Sequence, residues 1–148
     1  MADYAAIADA IAARFLGTTP PSGQPAIRLA TADLPNDVTV VPCFLVNEPD
    51  DDWAESGMGR RHGTLTFECD LVLPQSDGPR TSRAAMDWRS ALHTRLDGQL
   101  HLGLAASGIG PALVTKTAAG RRTYGSAEYP VVRVTVVVTI TEAMTAVA

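Results

Sequence analysis

Gly63-Thr64-Leu65-Thr66-Phe67-Glu68-Cys69-Asp70-Leu71-Val72-Leu73 decides the fold class. Leu65, Phe67, Cys69, Leu71 and Leu73 fall on one side of an extended chain, and Thr64, Thr66, Glu68 and Asp70 on the other. Successive strand side chains point to opposite faces. Strict alternation therefore predicts a strand with one packed face and one that meets water or a partner. Residues 130–142 repeat the pattern with a difference. Val132, Val134, Val136, Val138 and Ile140 share one face, but Val131 and Val137 put apolar groups on the other, beside Arg133, Thr135, Thr139 and Thr141. A strand apolar on both faces needs cover on both.

Working outward, residues 38–46 are β-branched and predict a strand that is bulged or lies at an edge, because Pro42 lacks the ladder donor. Ile27 and Leu29 alternate with Arg28 and predict a short strand over 26–30, and residues 112–117 predict another. Two helices complete the set. Tyr4, Ile7, Ile11 and Phe15 recur at three- and four-residue steps behind an N-cap Asp3, with Gly17 as a C-terminal stop free to take positive φ. Ala85, Trp88, Leu92 and Leu96 form the stripe of a second helix over 81–96, between Pro79 and Gly98. Leu100, Leu102 and Leu104 alternate too, as a short strand or an irregular segment. The order is helix, three strands, helix, two strands. It predicts one α+β domain over residues 1–148: a mainly antiparallel sheet of about five strands with two helices packed on one face.

Two polar stretches are expected as loops, over 47–62 and 116–128. The first holds Glu48, Asp50, Asp51, Asp52 and Glu55, then Arg60 and Arg61, and is too long for a tight hairpin turn. Trp53 within it is either tucked over the domain or kept as an interface anchor. The second holds Arg121, Arg122 and Tyr124, residue types enriched at interfaces.

The totals exclude several function classes. A chain of 148 residues can bury about 70% of its unfolded surface as one domain. With 46% hydrophobic and 19% charged residues it is globular. A net charge of −4, with no basic cluster beyond Arg60-Arg61 and Arg121-Arg122, argues against sequence-specific nucleic-acid binding. Apolar runs are too short for a bilayer, and no basic-then-apolar leader opens the chain, so neither membrane insertion nor secretion is expected. Cys43 and Cys69 lack CxxC spacing and read as buried, reduced hydrophobes.

The sequence carries no recognisable set of catalytic, cofactor or metal residues. Ser107 lies outside a GxSxG elbow, and no P-loop is present. Gly57, Gly59 and Gly63 miss the dinucleotide spacing by one residue and lead into a strand rather than a helix. His62, His93 and His101 form no HExxH or HxH pair, and the Asp50–Asp52 run lacks the glycine and closing glutamate of a calcium loop.

The order of elements resembles the tail terminator (tail-completion) proteins of long-tailed bacteriophages. The resembling features are the helix Tyr4-Ala5-Ala6-Ile7-Ala8-Asp9-Ala10-Ile11, the strand Val40-Val41-Pro42-Cys43-Phe44-Leu45-Val46, the strand Leu65-Thr66-Phe67-Glu68-Cys69-Asp70-Leu71, the helix carrying Trp88 and Leu92, and the ending Tyr129-Pro130-Val131-Val132-Arg133-Val134-Thr135-Val136. They are patterns of period and order, not a signature motif. The resemblance implies a homohexameric ring, assembled in the host cytoplasm and carried in the virion. Such a ring caps the tail tube and offers a face to the head–tail connector protein, without catalysis or cofactor. The residues agree with a ring subunit, which needs two different faces that bind each other head to tail. The acidic loop and the Arg121-Arg122 loop have opposite charge and could meet across neighbours, which makes Trp53, Arg60, Arg61, Arg121, Arg122 and Tyr124 the interface candidates. An acidic channel lining would let DNA pass without adhering. The rival readings are another neck, head-closure or minor tail protein, a small hydrolase using His62, Asp70 or His101, and a ligand-binding domain with a pocket over the sheet.

Overall fold

A computed structural model describes residues 3–143 apart from 36, 58, 77, 98–101, 103 and 105–107. The elements run α1 (Tyr4–Leu16), β1 (Leu29–Thr31), β2 (Cys43–Val46), β3 (Asp50–Gly57), β4 (Arg60–Val72), α2 (Gly78–Leu92), β5 (Ile109–Tyr124) and β6 (Ala127–Ala143). The class is α+β as the periodicity predicts, with six strands in a mixed, mostly antiparallel sheet. The order is β1-β2-β4-β6-β5, and β3 pairs with the first half of β4 on the same side as β2. Among the described residues the β1–β2 pair alone is parallel.

The sheet is organised by β4 and β6. They pair in unbroken register from Arg60↔Ala143 to Val72↔Val131. That register sets Leu65, Phe67, Cys69 and Leu71 beside Val138, Val136, Val134 and Val132, all buried. The same buried cluster contains Ile7, Ile11 and Phe15 of α1, Phe44 and Val46 of β2, and Ala85, Trp88 and Leu92 of α2. Phe15 stacks on Phe44 with ring centroids 4.3 Å apart. Both predicted helix stripes are buried apart from the half-buried Tyr4, and the second includes Leu96 beyond the end of α2.

On the alternate side of β6, Val131 is covered by the chain itself. It joins Cys43, Leu45 and Val72 in a second cluster, flanked by Val38, Val41, Tyr124 and Tyr129. This explains why β2 is shorter than the expected 38–46. Val38 and Val41 lie against the sheet rather than in it, and the strand begins only after Pro42, whose carbonyl accepts the Arg28 amide at 2.9 Å. β1 likewise starts late, at Leu29. Higher on this side, Thr64, Thr139 and Leu113 stay exposed and Val137 half-buried.

The helix ends follow the sequence with one change of reason. The Asp3 carboxylate caps α1 by accepting the Ala6 amide at 3.1 Å. Gly17 ends it at φ −81°, not in the left-handed region. Its value is space: a Cβ there would lie 2.7 Å from the Arg95 guanidinium, whose Nε donates to the Arg14 carbonyl at 2.8 Å and satisfies an orphan acceptor of the last turn. α2 starts at Gly78, three residues earlier than expected, with Pro79 in its first turn, where a missing amide costs nothing. It stops at Leu92, after which Arg95 and Asp97 make turn bonds to Leu92 and Thr94.

The two expected loops are the largest corrections. Residues 50–57 and 60 onward form a hairpin, with Gly57 and Gly59 at φ 78° and 71° around its tip. Residues 118–124 continue β5, which turns into β6 through Gly125 at φ 62° with Tyr124 opposite Ala127. A glycine with positive φ is what a short hairpin connection between twisted strands requires. Of the 100–104 stretch, Leu102 and Leu104 are described, and Leu102 is buried with φ 55°. Gly98, Leu100, His101 and Ser107 lie outside the described residues.

Candidate functional site

Five of the six sequence-picked residues, all but Arg60, are held by bonds within the chain, in two regions of the sheet. In the first, Trp53 on β3 lies directly opposite Gly63 on β4. No other residue fits opposite the indole, since a Cβ on Gly63 would lie 2.6 Å from the ring. The indole Nε1 donates to Asp51 Oδ2 at 3.0 Å and to the Tyr4 hydroxyl at 3.2 Å, and Tyr4 donates to the same carboxylate oxygen at 2.7 Å. The hydrogen bond from Tyr4, then that from Trp53, hold the Asp51 carboxyl below its ordinary range. The Arg61 guanidinium stacks 4.4 Å from the Trp53 ring centroid and bonds Glu142 of β6. Of the two alternatives for Trp53, the indole is tucked over the domain, half-buried, tying β3 to α1. Arg60 is exposed at the hairpin tip.

The second group surrounds Asp70. It is fully buried on the side of β4 away from the main cluster. Its Oδ2 accepts the Tyr124 hydroxyl at 2.8 Å and lies 3.2 Å from Arg122, while Oδ1 lies 3.5 Å from Arg133. Arg133 faces Asp70 directly in the β4–β6 register, and Arg122 and Tyr124 come from the far end of β5. Burial, then the bond to Asp70 and its charge, push the Tyr124 phenol up. The group fastens the β5–β6 hairpin to the sheet centre. Arg121 points to the opposite face and pairs with Glu128 at 2.6 Å. Neither His62, bonded to Thr141 at 2.9 Å, nor His93, bonded to the Ser90 carbonyl at 2.9 Å, comes together with Asp70 as an acid–base set. Among the described residues no group of three His, Cys, Asp or Glu side chains could hold a metal. No helix among them is long and apolar enough to cross a membrane. Cys43 and Cys69 are unpaired and buried, and burial raises both thiols, Cys43 to about 11.

Two concave regions lie at opposite edges of the sheet. Beside β5 a trough of about 530 Å³ is walled by Met86 and Arg89 of α2 and by His93 just beyond it, and floored by residues 114–117. Arg89 is fixed in its wall by bonds to the Thr117 hydroxyl at 3.2 Å and carbonyl at 3.1 Å. Beside β2, a notch of about 440 Å³ opens between the end of β1 and the start of β3. Tyr4, Ala8 and Asp9 of α1 line it with Asp33 and Glu48. The charged lining residues of the trough are cationic, those of the notch anionic.

Sequence reasoning missed Arg89, Lys116, Asp9 and Asp33 as site residues, and named Asp70 only for a hydrolase. Only strand register brings Asp70 to its arginines. Only the fold separates the cationic from the anionic edge. No protein-family model matches the chain, and no curated protein matches it.

Proposed function

We propose that the protein is a structural subunit that closes with copies of itself into a ring, and that the ring serves as a phage tail terminator. In this reading it caps a tail tube, stops its growth and presents a face to the head–tail connector. It acts by binding alone, with no catalysis and no cofactor, first in the host cytoplasm and then in the virion. The resemblance implies six copies.

The observation that carries the reading is the state of the sheet edges. Among the described residues β5 runs for 16 residues with a strand neighbour on one side only, and β3 for eight residues likewise. Long unpaired edges are a liability in a protein that stays alone, and are normally short, covered or blocked. In this reading both helices cover one face of the sheet, which is supported by the buried cluster that α1 and α2 share with alternate residues of β4 and β6. α1 covers the β1–β2 half and α2 the β5–β6 half. The two edges are thus unlike, and unlike edges bind head to tail, the geometry that closes into rings.

Negative-stain microscopy of the purified chain tests this. The expected image is a closed ring of several copies that also decorates the ends of isolated tail tubes. Single subunits at every concentration, without tube binding, would overturn it.

A further inference from the structure

We propose that the ring contact is an edge-to-edge joint: the bulged middle of β5 on one copy seats in the notch beside α1 on the next, with Arg89 and Lys116 against Asp9, Asp33 and Glu48. This rests on the ring reading above and specifies which surfaces make it.

Four independent features agree. The first is height. Val46, Cys69, Val134 and Thr117 form one row across the sheet, and Asp50, Thr66, Val137 and Leu113 another. The notch between Val46 and Asp50 therefore lies level with residues 113–117 at the opposite edge. Copies set side by side bring the two together without sliding along the strands. The second is direction. β2 and β3 run antiparallel to β4, β4 to β6 and β6 to β5. A neighbour in the same orientation thus presents β3, and β1 that runs parallel to β2, antiparallel to β5, the slightly more stable pairing sense.

The third is shape and charge. β5 bulges between Val114 and Lys116, the place that faces the notch. Edge bulges terminate or re-aim pairing. Lys116, Asp9, Asp33 and Glu48 are exposed, and Arg89 is held in place by Thr117. Opposite charges steer encounter and fix which edge meets which. The fourth is apolar surface. Among the described residues the exposed large hydrophobics are Leu16, Leu29, Leu34, Met86 and Leu113. Leu29 lies on β1, the edge strand on the notch side, and Leu34 follows Asp33 of the notch lining, while Met86 lines the trough and Leu113 lies on β5. Both edges carry the apolar residues that an interface core would bury. Trp53 and Tyr124, the aromatic candidates from sequence, are instead engaged inside the subunit.

A charge exchange tests the joint. Lys116→Glu and Glu48→Lys are made separately, with circular dichroism as the fold control, and masses are read by sedimentation velocity. Each variant alone is expected to lose assembly and sediment as a single subunit. Mixed in equal amounts, they regain a ring, because every joint then pairs either wild-type edges or exchanged ones. Wild type that assembles, with both variants assembling as well, would overturn the edge joint and leave the ring reading standing. The same holds if folded variants fail to recover on mixing. Wild type that stays a single subunit throughout would overturn both.

Discussion

The middle of the sheet and its two edges follow opposite rules. Along β4 and β6 every position facing the main cluster from Leu65 to Leu71, and from Val132 to Ile140, is apolar and buried. The one charge buried there, Asp70, faces the other way and is answered by two arginines and a tyrosine. At the edges charges stand exposed, and leucine and methionine side chains lie open to water. The middle is complete within one chain. The edges hold surface that the fold does not use, and function is to be sought there.

If the middle carries the stability, damage to it should be severe. Leu92→Ala, at a fully buried position of α2, is expected to cost about 2–5 kcal/mol in a denaturant melt. An unchanged melt would mean that the α2 stripe is not part of the core. Tyr124→Phe removes a donor to a buried carboxylate and is expected to cost about 1.5–3 kcal/mol. It also changes the alkaline limb. The Tyr124 phenol is raised in the folded state above its ordinary value of 10.0, so its stabilisation is complete below that pH and is lost as pH rises through the folded value. Wild type should therefore lose stability above pH 10 more steeply than Tyr124→Phe, and parallel pH profiles would contradict the Asp70 bond. Gly63→Ala pushes into the Trp53 ring and is expected to cost about 1–3 kcal/mol. The smallest effect belongs to the edges: Glu48→Lys and Lys116→Glu should each move the stability of the isolated subunit by less than about 0.5 kcal/mol. A large loss would place these residues in the fold rather than at a joint.

The contrast also explains what the sequence made legible. Residues 63–73 and 130–142 alternate cleanly because one face of each is dry, and the helix stripes are legible for the same reason. β3 and the end of β5 escaped because they lie at edges, where no face demands a run of apolar residues. Asp50-Asp51-Asp52 and Arg121-Arg122 look like solvated loop, and aspartate is a poor strand former. The turns were the available signal: glycines at 57 and 59, and Gly125-Ser126 between Tyr124 and Ala127, are hairpin connections. The opposite charge of the two stretches was legible. Their partners were not, because Arg121 pairs with Glu128 and Arg122 with Asp70 only once the register of β5 on β6 and of β6 on β4 is known.

The joint between unlike edges is tested most directly by a covalent trap. Residues 48 and 116 stand at opposite edges of one subunit, with the sheet between them, so cysteines placed there cannot bond within a chain. Glu48→Cys with Lys116→Cys, oxidised at assembly concentration, is expected to give a ladder of subunit multiples on a non-reducing gel, ending at the closed ring and collapsing with reductant. Wild type that forms rings while the double variant, folded and oxidised, remains a single band at the subunit mass would contradict the edge joint.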